Sequence, residues 1–134
     1  MPETDTIPVS ASVVSVGKSL RYIGNWAYAY SGSVGVDNNE TVLVESVSQS
    51  GIIVAEFQPQ YLVKSGDDYF FQVYLNDLVV IGLHLTAADA YIPYERSKVI
   101  IPPLTSVKIT AQNTSASTNY NVAAVLTGRV YGAV

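Results

Sequence analysis

The sequence predicts an all-β protein: a single-domain antiparallel β-sandwich built as an eight-stranded jelly roll. Three observations predict it. Apolar and polar residues alternate with period two along most of the chain, which sends successive side chains to opposite faces of a strand. Turn clusters punctuate that alternation and leave about eight strands at roughly 8–12-residue spacing. No helical stripe is convincing. Eight strands close as two four-stranded sheets over one core.

The elements follow in chain order. Residues 1–20 read as an N-terminal extended arm, with Pro2, Pro8 and many small residues; residues 21–134 form the sandwich domain. "NWAYAYSGSVGV" puts Trp26, Tyr28 and Tyr30 on one face and the small Ala27, Ala29 and Ser31 on the other. "DNNE" (37–40) is a turn. "TVLVESV" and "GIIVAEFQ" form a hairpin across "SQSG", with Ile53, Ala55 and Phe57 sharing a face. "KSGDD" (64–68) turns the chain into "DYFFQVYLNDLVVIGLHL". There Phe71, Val73 and Leu75 share one face, and Val79, Ile81, Leu83 and Leu85 share another. Asn76-Asp77 suits a tight two-residue turn because both tolerate positive φ. This hairpin is expected at the centre of the fold, buried on one face and covered by a subunit contact on the other. "TAADAYIPYERS" (86–97) is the one excursion from strand. "KVIIPP" is a short strand stopped by prolines, which lack a donor. "SVKITAQN" turns Val107, Ile109 and Ala111 inward. "YNVAAVLTGRVY" is the last strand, where Gly128 marks a bulge or a close backbone approach.

Composition narrows the function. A chain of 134 residues fits one domain with a self-sufficient core. There is no cysteine, which excludes disulfides and thiolate metal sites. Hydrophobic residues make up 49% and charged ones only 13%. A surface so poor in charge suits covering by neighbours, and hence an oligomer or lattice. Net charge is −4, and the seven basic residues are scattered without a run, so nucleic acid is not an expected partner. The acidic, polar start "MPETDTIPVS" lacks a secretory pattern, and no apolar run approaches the ~20 residues of a membrane span. Synthesis in a cytoplasm is expected, with no membrane partner.

No catalytic constellation stands out. His84, the only histidine, is out of phase with Leu83 and Leu85, and no nucleophile-elbow context accompanies it. "VGKS" (16–19) resembles the end of a phosphate loop, but Ser12 occupies the required glycine position. Asp67-Asp68 is too few oxygens for calcium and reads as a solvated turn. Asn39-Glu40-Thr41 and Asn113-Thr114-Ser115 match the glycosylation pattern by chance in turns. The chain is therefore expected to be no enzyme and to carry neither cofactor nor metal. Its ten tyrosines are the unusual feature, because an apolar body with a polar tip serves interfaces and sugar stacking. Trp26, Tyr28, Tyr30, Tyr74, Tyr91, Tyr94 and Tyr131 are the candidate interface residues. For Trp26, Tyr28 and Tyr30 the choices are core, subunit contact or a sugar platform, with packing favoured.

Two stretches, "GDDYFFQVYLNDLVVIG" and "VIIPPLTSVKITAQNTSASTNYNVAAVLTGRVYG", resemble small single-jelly-roll virion proteins of phages and aquatic viruses. These are capsid decoration or cement proteins and related spike or fibre-head domains. "WAYAYSGSVGV" fits the same pattern, and "IIPP" followed by Thr105 and Val107 is its most characteristic step. The likeness spans about residues 22–132; tumour-necrosis-factor-like trimer domains share parts of it. The resemblance implies a homo-oligomer, with a trimer favoured, seated on a viral major capsid protein in a virion assembled in the host cytoplasm. The arm would tie subunits together on docking. The alternative is a glycan- or receptor-binding head that uses aromatics such as Tyr91 and Tyr94.

Overall fold

The computed structural model describes residues 19–61, 68–85, 96–114 and 120–132. Ten strands occur among them: β1 (Arg21–Ile23), β2 (Trp26–Tyr30), β3 (Val34–Val36), β4 (Thr41–Val47), β5 (Ile52–Tyr61), β6 (Tyr69–Leu75), β7 (Leu78–Leu85), β8 (Ser97–Ile101), β9 (Ser106–Asn113) and β10 (Tyr120–Tyr131). They form an all-β, antiparallel sandwich of two sheets. One runs β1-β2-β10-β5-β8, with β3 also on β10; the other runs β4-β9-β6-β7. The pairing is nested. β6 pairs with β7, β5 with β8, β4 with β9, and β2 and β3 with β10, as if one long hairpin were rolled up.

The count exceeds the expected eight for local reasons. Arg21–Ile23 adds a short edge strand on β2. The stretch expected as one strand over residues 26–36 is broken into β2 and β3 at Gly32, whose φ is +69°. Ser31 fills the break. Its backbone N–H donates to the Ala124 carbonyl at 3.0 Å, and its Oγ accepts from the Ala124 N–H at 2.8 Å. Both halves therefore stay on β10.

Of the two expected hairpins, the one across residues 48–51 does not form, because β4 and β5 lie in different sheets and their connection crosses the sandwich. The other forms, with Asn76 at φ 51° and Asp77 at φ 67°, the left-handed pair that a tight primed turn demands. Its position differs from expectation. β6 lies inside its sheet, but β7 is an edge strand. The shared face also breaks. Val73 pairs with Ile81 but Tyr74 pairs with Val79, so a bulge at Val80 turns Val79 outward beside Tyr74. Ile81, Leu83 and Leu85 still pack against the core.

The core lies between unlike faces. Register aligns Ala27, Gly128, Ala55 and Val99 in one row of small residues across the six-stranded sheet. The facing sheet supplies bulk: Tyr69, Phe71, Leu43 and Ile109 are fully buried. Phe71 meets Phe57 across the sandwich at 6.3 Å between ring centroids, a tilted contact worth about 0.5–1.5 kcal/mol beyond its buried area. Among the described residues β8 pairs with β5 only as far as Phe57, so Pro59 interrupts no described ladder bond on that side. Leu20, the last residue of the expected arm, is buried in this core; residues 1–18 lie outside the described residues.

Gly128 is the close approach that the sequence suggested. A Cβ there would lie 2.6 Å from both the Ala55 Cα and the Val54 carbonyl oxygen. Those are backbone atoms and cannot swing aside. Gly128→Ala should cost about 1–3 kcal/mol or more, read as a lower urea midpoint with an unchanged slope. An unchanged midpoint would show that β10 and β5 separate freely.

Candidate functional site

The candidate site is built from the outer face of the six-stranded sheet and the end of the sandwich beside it. On β2 the small residues face inward and the aromatics outward. Ala27 and Ala29 are buried, Tyr28 is half-buried, and Trp26 and Tyr30 are exposed. The core reading of these aromatics is thereby excluded. Register gives the outer rows. Ile23, Trp26, Arg129, Val54 and Ile100 align across five strands. The next row is Arg21, Tyr28, Thr127, Glu56 and Lys98. Tyr131 lies beyond the first row, paired with Ile52.

An open groove of ≈ 350 Å³ runs across these rows. Its walls include Trp26, Tyr131, Arg129, Thr127, Glu56 and Lys98. The Arg129 guanidinium sits 5.7 Å from the Trp26 ring centroid and 5.8 Å from that of Tyr131, so one cation bridges two aromatic rings. Glu56 faces Arg96 at 3.8 Å, an exposed pair of small energetic weight. Among the described residues Arg129 and Lys98 have no carboxylate partner. A second, smaller hollow of ≈ 210 Å³ lies between Ser19, Arg21, Tyr28 and Tyr30, and the last two rings are 5.1 Å apart.

Charge is gathered by the fold. The described basic residues are Arg21, Arg96, Lys98, Lys108 and Arg129. All but Lys108 lie on or beside this face, where Glu56 is the one described acid in the aligned rows. The sequence shows only scatter, because these residues come from three separate segments.

Exposed apolar side chains are also gathered. Val47, Leu78, Val79, Val80 and Leu104 stand at the end formed by the β4–β5, β6–β7 and β8–β9 turns. Ile23, Trp26, Ile52, Ile100 and Tyr131 adjoin that end on the outer face. Leu78 and Leu104 are 71% and 73% exposed, and Leu104 holds a left-handed φ of 54°, which is costly for a branched apolar residue. The turns are laced together. Buried Ser48 donates through Oγ to the Pro102 carbonyl at 2.8 Å and accepts from the Thr105 N–H at 2.9 Å. The Leu104 N–H donates to the Gln49 carbonyl at 3.0 Å. The Asn76 N–H donates to the Ser106 carbonyl at 2.9 Å, and the Ser106 N–H returns to Asn76 Oδ1 at 3.0 Å.

The other expected site residues disperse. Tyr74 lies on the outer face of the four-stranded sheet, apart from Trp26, Tyr28, Tyr30 and Tyr131. Its hydroxyl donates to Glu40 Oε2 at 2.5 Å, and Lys108 Nζ lies 4.6 Å from its ring centroid. Tyr91 and Tyr94 lie outside the described residues. His84 is exposed, edge-on to Phe70 at 6.2 Å, with Thr114 Oγ1 3.5 Å from Nε2. Asn113 is fully buried, which removes it as a glycosylation acceptor in the folded chain. Among the described residues no three His, Cys, Asp or Glu side chains gather as metal ligands, and no helix is long and apolar enough to cross a membrane. No protein-family model matches the sequence. No curated protein matches it either.

The Glu40 cluster carries a pH signature. Hydrogen bonds from Thr110, then Tyr74, hold the Glu40 carboxyl below the ordinary carboxylate range, with Lys108 assisting and burial opposing. The same Glu40 bond, with burial, raises the Tyr74 phenol. A lowered carboxyl contributes stability above its unfolded pKa and loses it as pH falls through the folded value. Glu40→Gln should therefore flatten the acid limb of the stability curve below about pH 5, measured by urea unfolding at several pH values. Parallel acid limbs in the two proteins would show that these bonds add nothing.

Proposed function

We propose that the chain is a non-catalytic structural subunit of a virion, decorating or cementing a capsid shell as a homo-oligomer. One observation carries this reading: exposed large apolar side chains converge on one end of the sandwich, on turns held rigid by hydrogen bonds. Scattered surface apolar residues need no explanation, but a contiguous group on a fixed frame does. The nested strand pairing supports reading the sandwich as a jelly roll. The low charge content supports a surface meant to be covered.

The occupant of the apolar end, in this reading, is a second copy of the chain. Each copy carries the same end; a two-fold axis sets equal patches against one another, and a larger closed ring joins different parts of that end. Bound to an assembled shell and not to its free parts, such an oligomer stabilises the shell by mass action.

A second reading is favoured by a separate observation. The Trp26–Tyr131 groove is open, with polar groups beside its aromatics, and that supports recognition of a glycan by the same subunit. The groove opens on the sheet's flank, whereas the apolar turns point along the strands, so the two roles use neighbouring surfaces.

Light scattering across a concentration series tests the assembly reading. The intact chain should give the mass of a closed oligomer. The Leu78→Ser, Leu104→Asn double variant should be monomeric at the same concentrations; asparagine tolerates the left-handed φ at position 104. A monomer in both cases, or an oligomer in both, would overturn the assignment of this end as the copy–copy contact.

A further inference from the structure

We infer that the flank groove is a binding site for an acidic saccharide, a pyranose bearing a carboxylate. The inference rests on the recognition reading and names its ligand class. The groove's ≈ 350 Å³ lies at the small end of the range for ligand sites, the scale of a mono- or disaccharide. Trp26 and Tyr131 stand on its walls with about half of their surface exposed, at 52% and 51%. Flat aromatic faces of this kind suit the C–H face of a pyranose, while its hydroxyls stay free to hydrogen-bond.

The polar groups select the charge. Arg129 lies against both rings, 5.7 and 5.8 Å from their centroids, so its planar fork is held beside the stacking surface. A guanidinium so placed matches a carboxylate in two parallel hydrogen bonds. Lys98 lines the same groove, a second cation with no carboxylate partner among the described residues. Glu56, the acid in the groove wall, is turned toward Arg96 at 3.8 Å. Thr127, between Tyr28 and Glu56 in the row, supplies a hydroxyl that donates or accepts toward a sugar hydroxyl. This cationic hollow sits on a chain of net charge −4, so it does not follow from overall composition.

The arrangement also argues against other anions. A bare sulfate or phosphate has no use for two exposed rings. A nucleic-acid strand needs a cationic track several phosphates long, and the groove offers Arg129 and Lys98 within one hollow.

Saturation-transfer NMR and calorimetry on the full chain would test this with three probes: sialyllactose, a hyaluronan tetrasaccharide and neutral lactose. At least one acidic saccharide should bind, more tightly than lactose and less tightly as salt is raised. Arg129→Gln should weaken it about tenfold or more, Lys98→Gln less, and Trp26→Ala should abolish saturation transfer, with circular dichroism confirming that each variant is folded. Lactose binding equal to the acidic sugars and unmoved by Arg129→Gln or Lys98→Gln would overturn the acidic assignment and leave the recognition reading standing. No binding of any saccharide would overturn both.

Discussion

The Ser48 hydroxyl locks together two turns that the β4–β9 ladder brings side by side. It donates to Pro102 and accepts from Thr105, while the Ser48 N–H donates to the Thr105 carbonyl at 2.8 Å. One small side chain thus joins the β4–β5 connection to the β8–β9 connection, and each of those connections crosses between the sheets. Both partners are backbone groups of a buried site, so the pairing is obligatory: a buried donor or acceptor left unmade costs about 1–3 kcal/mol. The apolar end rests on this tie together with the Asn76–Ser106 pair that anchors the β6–β7 turn. Leu104 is kept in a left-handed conformation only because Thr105 and Gln49 hold the backbone on either side of it. Tyr22 extends the lacing to the sheet edge, its hydroxyl accepting from the Gln49 N–H at 3.0 Å.

Strand identity was legible in the sequence because period two is a direct consequence of backbone geometry. "SVKITAQN" and "GIIVAEFQ" alternate as the structure has them, with Ile53, Ala55, Phe57, Val107, Ile109 and Ala111 buried. Asn76-Asp77 was legible as a turn because few residue pairs accept two positive φ values. The breaks were not legible. One inserted residue at Val80 flips Val79 to the outer face, yet Val-Val-Ile reads the same on either side of a bulge. Gly32 interrupts β2 and β3 without changing the pattern, because Ser31 replaces the missing ladder contacts with its own hydroxyl.

Alternation also cannot say which face is the core. For Trp26, Ala27, Tyr28, Ala29 and Tyr30 the ordinary rule would bury the aromatics, and the structure buries the alanines. The reason lies two strands away. Gly128 and Ala55 bring β10 and β5 close together, and Ala27 continues that row of small residues toward the edge. The opposite sheet supplies the bulk of the interior with buried Tyr69, Phe71 and Leu43, and a close-packed core of that kind is matched by small side chains on the facing sheet. The alanines take the inner face of β2 and the aromatics the outer one.

The same accounting separates the two surfaces of the candidate site. The row Ile23, Trp26, Arg129, Val54, Ile100 is apolar except for Arg129, and it borders the apolar turns. The row behind it, Arg21, Tyr28, Thr127, Glu56, Lys98, is polar at nearly every position. A boundary between apolar and polar surface therefore crosses the sheet, and Arg129 is the one charge on its apolar side. Surrounded only by apolar neighbours, a guanidinium would turn toward water; between the Trp26 and Tyr131 rings it keeps an attraction that does not require burial. That contact fixes a cation where the apolar end meets the polar flank. It makes the groove a distinct chemical place on the sheet and not merely the margin of a sticky surface.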